Sequence, residues 1–363
     1  MSRRWAGKSH DLSRPTPRAA GLTEEFIGCR ILRVMNSARS RAEAVLPPLL
    51  GGLLILVALI GLIGTAIKNP QPHDIRVGLV GPAPATQQIS SAFASNAPGA
   101  FQFTSYASED SARAAIDGRS VDGALVLGTG GPRLIVAGAA GDAVTGVIAG
   151  AFMNVFKAQG QTLTVETIHP FSSGDPHGLI LFFVILAVLI STLVAQALVG
   201  LRGDAGFGFR LIMVAIYAVI AALVAMGMAT WLAGDYGSGF WVATGMLALA
   251  SAAVGAVVAG SARLLGAPGV ALAGLVVVLL DLVSSGGPLG SQLLPDFYRG
   301  LAPGMPVGQL YSGMRGALYF NNAGIGVSIA VLSAWLAAGL VLMVLGEMLT
   351  RRARQRVALA TAR

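Results

Sequence analysis

Six long apolar stretches constrain this chain more than any other feature of its sequence. Each holds about 20 predominantly apolar residues, enough for a helix to cross a hydrocarbon core of about 30 Å. A helix pairs its own backbone polar groups, which lipid does not do. The sequence therefore predicts a membrane α-helical bundle of six transmembrane helices, near Leu49–Ile67, Gly178–Leu201, Leu211–Ala233, Phe240–Ala262, Pro268–Ser285 and Ile325–Gly346.

The composition agrees with a membrane protein and excludes two other classes. Only 12% of the 363 residues are charged, whereas soluble domains carry about 25%. The 54% of hydrophobic residues give the chain more apolar surface than a disordered protein leaves exposed. Composition thus excludes a soluble enzyme and a wholly disordered chain.

The distribution of Lys and Arg predicts the orientation, because short loops rich in these residues stay in the cytoplasm. With the N-terminus inside, the cytoplasmic segments hold 17 of the 25 basic and 6 of the 17 acidic residues, a net charge of +11. The other side holds 8 basic and 11 acidic residues, a net charge of −3. We predict cytoplasmic N- and C-termini in the cell membrane. The overall charge of +8 then reflects topology, and we expect no nucleic-acid partner.

The predicted spans divide the chain into five parts. Residues 1–45 form a basic cytoplasmic segment, partly disordered or amphipathic, and residues 46–68 contain the first span. Residues 69–177 contain no span and form an extracytoplasmic domain. Residues 178–348 form a five-helix membrane domain, and residues 349–363 form a basic cytoplasmic tail.

The segment 69–177 alternates β-type runs with helical ones, which predicts a small α/β domain. We predict strands at 76–80, 101–106, 122–127, 133–137 and 162–168, and helices at 86–95, 109–117 and 142–157. No histidine of this domain has a second metal ligand at the usual spacing, and its acids suit caps and turns. The sequence LGTGGP precedes a strand instead of a helix, which favours a turn over a phosphate-binding loop. We expect neither a cofactor nor a catalytic site.

The segment 286–324 is too long for a simple turn. Pro303-Gly304 and Pro306 break it into two predicted short helices. The second helix would carry one apolar face, formed by Val307, Leu310, Tyr311, Met314 and Leu318. Two interpretations stay open: an interfacial hairpin at the outer mouth of the bundle, or a lid that covers the bundle.

Three charged residues near this mouth are candidate gate residues: Asp281, Arg299 and Arg315. Asp281 is the only acid within a predicted span, and an acid inside a membrane usually has a function and a partner. We expect an ion pair between Asp281 and Arg315 or Arg299. The alternative is an acid in an outer vestibule that touches water.

Small residues at Ser251, Gly255 and Ala259 form a small-xxx-small ridge on the fourth span. Such ridges let helix backbones approach closely. The ridge predicts close helix packing, either within one chain or between two.

Two segments resemble a known family. They are RAAIDGRSVDGALVLG (Arg113–Gly128) and the Pro-rich LLPDFYRGLAPGMPVGQLYSGMRGALYF (Leu293–Phe320). With the order of one span, an outer α/β domain and five spans, residues 46–348 resemble the ABC type-2 export permeases, closest to the phage infection protein (YhgE/Pip) branch. The resemblance implies a homodimeric permease subunit that moves an amphipathic or lipidic substrate outward and is driven by a separate cytoplasmic ATPase.

The resemblance also points to the loop between the second and third spans as the ATPase contact. Here that loop is the short RGDAGFGFR, with Arg202, Asp204 and Arg210 as candidate contacts, and it lacks the Glu-rich, Gly-Thr-containing sequence of many such permeases. The other candidate contact is the N-terminal segment 24–41, whose EEFIGCRILRV would form an amphipathic helix along the inner leaflet. The chain itself carries no nucleotide-binding motif, because the GKS at residues 7–9 lacks the leading glycine and the preceding strand. An alternative function is that of a non-transporting membrane protein whose outer domain binds an envelope component, a partner protein or a phage.

Overall fold

The computed structural model describes residue 46, residues 49–201 and residues 206–361. Within them, six helical stretches are long and apolar enough to cross a membrane, as expected of a multi-pass membrane protein: Leu49–Ile67, Leu179–Gly200, Phe207–Ala233, Gly237–Leu265, Ala267–Leu289 and Ile325–Arg352. The six predicted spans are thereby confirmed, with ends that differ by a few residues. The chain divides into two compact units after Ala58, within the first helix, α1 (Leu49–Ile67).

The segment between the first two spans folds as an α/β domain. Its elements follow the predicted alternation: β1 (Ile75–Val80), α2 (Ala83–Asn96), β2 (Phe101–Tyr106), α3 (Glu109–Asp117), β3 (Gly123–Gly128), β4 (Gly131–Ala137), α4 (Asp142–Ala158) and β5 (Thr164–Ile168). The five strands form one sheet in the order β2-β1-β3-β4-β5. β3 and β4 pair antiparallel, and the other neighbours pair parallel.

Local sequence signals explain two boundaries in this domain. Gly128 pairs with Gly131, so Thr129 and Gly130 form the two-residue turn of the β3–β4 hairpin. The LGTGGP sequence is therefore a hairpin turn. At the start of α3, the side chain of Ser108 accepts a hydrogen bond from the Ser111 backbone N–H, and the Ser111 side chain accepts one from the Ser108 N–H. This capping box pairs two N–H groups that the helix leaves open.

The two faces of the sheet are covered by different helices. On one face, Phe93 of α2 and Phe152 of α4 pack with Phe101 and Phe103 of β2, with ring centroids 5.0 to 6.4 Å apart. On the other face, Ile116 of α3 is fully buried among side chains of the central strands. Both faces contact the membrane domain, because Leu293 packs on the first face and Phe320 on the second.

The membrane domain consists of long helices and several short ones near one end of the bundle. In chain order they are α5 (Leu179–Gly200), α6 (Phe207–Ala233), α7 (Phe240–Leu265), α8 (Ala267–Gly274), a π-helical turn (Leu275–Leu280), α9 (Asp281–Ser284), α10 (Asp296–Leu301), α11 (Pro306–Tyr319) and α12 (Ile325–Thr361). α7 is the most buried of the spanning helices and packs against α5, α6, α11 and α12.

Small residues allow α7 its central position. The predicted ridge faces the neighbouring helices of the same chain: the Ser251 hydroxyl lies 2.8 Å from the Thr192 hydroxyl of α5, and Gly255 packs beside Gln196. Another close approach lies on a different side of α7, at Gly260, outside the predicted ridge. A Cβ atom added at Gly260 would lie 2.6 Å from Leu342 Cβ and 2.8 Å from Met343 N of α12.

The contact at Gly260 predicts a selective loss of stability. We expect Gly260→Ala to lower the free energy of unfolding by about 1–3 kcal/mol, because the added methyl group overpacks the α7–α12 contact. Gly245, in the same helix, has no heavy atom within 4 Å of an added Cβ. Gly245→Ala should therefore be neutral or slightly stabilising. Thermal unfolding of both full-length variants in detergent measures the difference, and equal midpoints would contradict the packing described here.

Candidate functional site

A cavity of about 240 Å³ lies where the α/β domain meets α10 and α11. Among the described residues that line it are four arginines and one acid: Arg76, Arg119, Arg299, Arg315 and Asp122. We call it the arginine cavity. Its lining comes from distant parts of the sequence, so the fold, and no local motif, assembles it.

Arg119 reaches from the α/β domain to the membrane helices. It follows the end of α3 with φ at 57°, a backbone conformation that residues other than glycine seldom adopt. Its guanidinium donates to the Ser312 carbonyl at 3.0 Å, the Ser312 hydroxyl at 3.0 Å and the Ala323 carbonyl at 3.3 Å. It also lies 5.3 Å from the centre of the Phe320 ring. These contacts hold the end of α3 against α11.

Arg315 makes the opposite connection, from α11 to the α/β domain. Its guanidinium donates to the carbonyl groups of Ala139 and Ala140, in the turn after β4, and lies 4.6 Å from the centre of the Tyr311 ring. Gly141 has φ at 130°, and an added Cβ there would lie 3.3 Å from Arg315 Nη1. We call Arg119 and Arg315 together the arginine clamp.

The clamp arginines bring positive charge to the cavity without a carboxylate partner among the described residues. Burial, and then the neighbouring Arg315, lower the pKa of Arg119 to about 10. Arg119 is therefore still positively charged at neutral pH, although its surroundings oppose that charge. Asp122 lies 3.1 Å from Arg76 Nη2, so the acid of the cavity is already paired with another arginine.

Arg299, on α10, is paired with acids but keeps one unused donor. Its Nη1 lies 2.8 Å from Asp74 and its Nη2 lies 3.1 Å from Asp296. The hydrogen bond from Arg299 lowers the pKa of Asp74. The Nε atoms of Arg299 and Arg315 are both buried and have no hydrogen-bond partner within the described chain. A buried donor left unpaired costs about 1–3 kcal/mol, and more when it is charged.

The predicted ion pair of Asp281 is wrong. Asp281 is fully buried, and its Oδ2 accepts a hydrogen bond from the Val307 N–H, at the beginning of α11, at 2.7 Å. Both candidate arginines are engaged elsewhere, as described above. The interpretation of a water-exposed acid is also wrong, because 0% of Asp281 is exposed. The N-terminus of α11 thus offers an open N–H and a partial positive charge to Oδ2. Oδ1 is buried and has no hydrogen-bond partner among the described residues.

Of the predicted ATPase-contact residues, Arg210 is not at the surface. Its side chain is 2% exposed and donates to the Gly200 carbonyl at 2.8 Å, which joins the ends of α5 and α6. Arg210 is drawn inward because the last carbonyl groups of α5 are unpaired within the helix and attract a cation from the first turn of α6. Arg202 and Asp204 lie outside the described residues.

α11 packs as part of the bundle. Val307, Leu310, Tyr311 and Met314 of its predicted apolar face are buried in the main hydrophobic core, while Leu318 is partly buried against it. This burial agrees with the interpretation of the segment as a lid over the bundle.

A second, apolar cavity of about 200 Å³ adjoins this region. We call it the apolar cleft, and its lining includes Ile63 of α1, Phe182 of α5, Leu282 of α9 and Leu289 in the following turn. Ser285 lines the arginine cavity and the next residue, Gly286, lines the apolar cleft. A single turn of the chain therefore borders a polar and an apolar site.

Two of the four cavity arginines were predicted from the sequence as candidate site residues. Arg299 and Arg315 were found because they lie near a predicted span end. Arg76 and Arg119 were missed, because each is an ordinary surface residue by its local sequence. The position of Arg119 at the end of a predicted helix gave no indication that it reaches another domain.

The clamp predicts a local change in stability when Arg119 is removed. We expect Arg119→Ala to speed amide hydrogen exchange of residues 320–324 by about tenfold or more, because hydrogen bonds from a charged donor contribute about 1.5–3 kcal/mol. Arg113→Ala is the matched control, since Arg113 pairs with Glu109 and Glu166 within the α/β domain. Exchange measured by mass spectrometry should change in this segment for Arg119→Ala alone; equal rates in both variants would rule out the clamp.

Comparisons with known proteins give one family. Residues 158–341 match the family model described as "Protein of unknown function (DUF3533)", from the end of α4 into α12. No curated protein and no solved structure matches the chain. Because the matched segment covers just over half of the sequence, the chain belongs to the DUF3533 family.

Proposed function

We propose that the chain is the permease subunit of an ABC-type exporter, similar to the phage infection protein branch of the ABC type-2 permeases. It acts as a homodimer in the cell membrane and moves an amphipathic or lipidic substrate outward. A separate cytoplasmic ATPase supplies the energy. The observation that carries this proposal is the pair of adjoining sites, one lined by arginines and one apolar, on the side of the bundle where the α/β domain lies.

The order of the elements supports the position of these sites at one mouth of the bundle. Successive spans alternate in direction, so the end of α1, the beginning of α5 and the end of the fifth span share the side of the α/β domain. The two sites lie at this level. The count of basic residues favours the outside for this side.

A continuous set of contacts runs from the fifth span to the α/β domain and supports a gate at this mouth. The π-helical turn Leu275–Leu280 interrupts the span, and such turns are frequent at functional sites. Asp281 follows directly and binds the beginning of α11. Arg315 of α11 then binds the α/β domain. A shift of the fifth span would therefore move two parts of the cavity lining. Ser285 would move directly, and Arg315 would move through α11.

A different observation favours the second candidate function, a non-transporting protein whose outer domain binds an envelope component, a partner protein or a phage. A groove of about 580 Å³ lies between α2 and α4, lined partly by Ile89 and Phe156. Its volume falls in the range of about 300–1,000 Å³ that is typical of small-molecule sites. This groove needs no membrane helix, so binding there requires no transport.

An ATPase assay separates the two functions. We expect the tagged full-length chain, purified from its own host in mild detergent, to carry vanadate-sensitive ATPase activity. The double variant Arg202→Glu/Asp204→Lys should lose most of that activity per mole of purified chain, because charge reversal disrupts a charged contact between subunits.

Arg356→Glu is the control for a charge reversal that is predicted to lie on the same side of the membrane. It should retain the activity of the unaltered chain. If the purified chain carries no ATPase activity, the exporter proposal is wrong and the second candidate function becomes the better one.

A further inference from the structure

The charge balance of the arginine cavity calls for an anion. Arg76 is paired with Asp122, and Arg299 is paired with Asp74 and Asp296. The two clamp arginines, in contrast, bind carbonyl and hydroxyl oxygens. The four arginines and these three carboxylates together leave a net charge of +1, and the two clamp arginines have no carboxylate partner among the described residues. An anion that enters the cavity would interact with both, in surroundings less polar than bulk water.

The arginines that line the cavity suit a phosphate group. Two of them, Arg299 on α10 and Arg315 on α11, come from different helices. Guanidinium groups bind phosphate oxygens through pairs of N–H donors, and a phosphate presents more oxygens than the two of a carboxylate. A phosphate can therefore accept hydrogen bonds from α10 and α11 at the same time.

The size of the cavity limits what it can enclose. Its volume of about 240 Å³ lies below the range of about 300–1,000 Å³ that holds a drug-sized molecule. It can hold a head group, and the rest of an amphiphilic molecule must lie elsewhere. The apolar cleft, of about 200 Å³, is bordered by the residue next to Ser285 and is lined by apolar side chains.

We infer that the two sites together bind a phosphate-bearing lipid, with the phosphate among the arginines and part of an acyl chain in the apolar cleft. The inference deepens the proposed function, on which it rests for the role of the lipid as substrate. Arg315 and Arg299 bind the phosphate oxygens. Ile63 and Leu282 contact the acyl chain. Inorganic phosphate can occupy only the arginine cavity. Binding in the apolar cleft therefore distinguishes a lipid from an inorganic ion.

Native mass spectrometry of the full-length chain in detergent tests this assignment with three probes. They are phosphatidylglycerol, the diacylglycerol with the same acyl chains, and inorganic phosphate. We expect phosphatidylglycerol to bind at least about tenfold more tightly than either of the others, because it alone occupies both sites. Equal binding of phosphatidylglycerol and diacylglycerol would overturn the phosphate site. Inorganic phosphate bound as tightly as phosphatidylglycerol would overturn the lipid assignment.

Substitutions then locate the binding. Arg299→Gln and Arg315→Lys should each weaken phosphatidylglycerol binding about tenfold, since each removes a guanidinium. Arg113→Gln, which changes an arginine outside the cavity, should leave it unchanged. Ile63→Gln should weaken phosphatidylglycerol binding but leave phosphate binding unaltered. Unchanged affinity in both cavity variants would overturn the inference.

The assay separates this inference from the proposed function, because it contains no ATPase and measures no transport. Lipid binding that depends on the cavity arginines supports the inference even when the purified chain carries no ATPase activity. ATPase activity in the purified chain without lipid binding supports the exporter proposal and overturns the inference that the substrate is a phosphate-bearing lipid.

Discussion

The arginine clamp is the interaction on which the rest of the structure depends. Arg119 donates from the α/β domain to α11, and Arg315 donates from α11 back to the domain, so each side supplies a cation and each supplies carbonyl acceptors. Carbonyl groups satisfy the hydrogen bonds of a guanidinium but leave its charge in place. The clamp therefore joins the α/β domain to α11. Because its acceptors are neutral, it also keeps the cavity between them positive. Carboxylate partners would have neutralised that charge.

A buried acid extends this arrangement into the membrane domain. Asp281 sits at the end of the π-helical turn and fixes the first turn of α11, the helix that carries Arg315. One oxygen of this buried carboxyl group is paired with a backbone N–H at the beginning of a helix of 14 residues, whose dipole favours a negative charge there, while the other oxygen has no partner among the described residues. α11 thus links the fifth span to the domain, and the arginine cavity and the apolar cleft lie on either side of the short connection that follows Asp281.

Local periodicity was enough to predict the elements of this fold but not the partners of its charges. The six spans and the alternating strands and helices follow from patterns within 5 to 25 residues, and tertiary contacts did not override them. The Asp281 pairing was wrong because the choice between an arginine and a helix N-terminus depends on where α11 begins in space. Arg76 and Arg119 carried no local signal at all. The contact at Gly260 was missed for a similar reason, since a glycine at a helix crossing and a glycine facing lipid look alike in sequence.

The proposed outward transport depends most on the side of the membrane that holds the α/β domain, and the chain allows that side to be measured directly. Cys29 is its only cysteine, so Cys29→Ser provides a background for single reporters. Ser95→Cys places a thiol on an exposed position of α2, and Arg352→Cys places one near the end of α12. A membrane-impermeant maleimide applied to intact cells should label the thiol at position 95, and label the one at position 352 only after permeabilisation. Labelling in the reverse order would contradict the account.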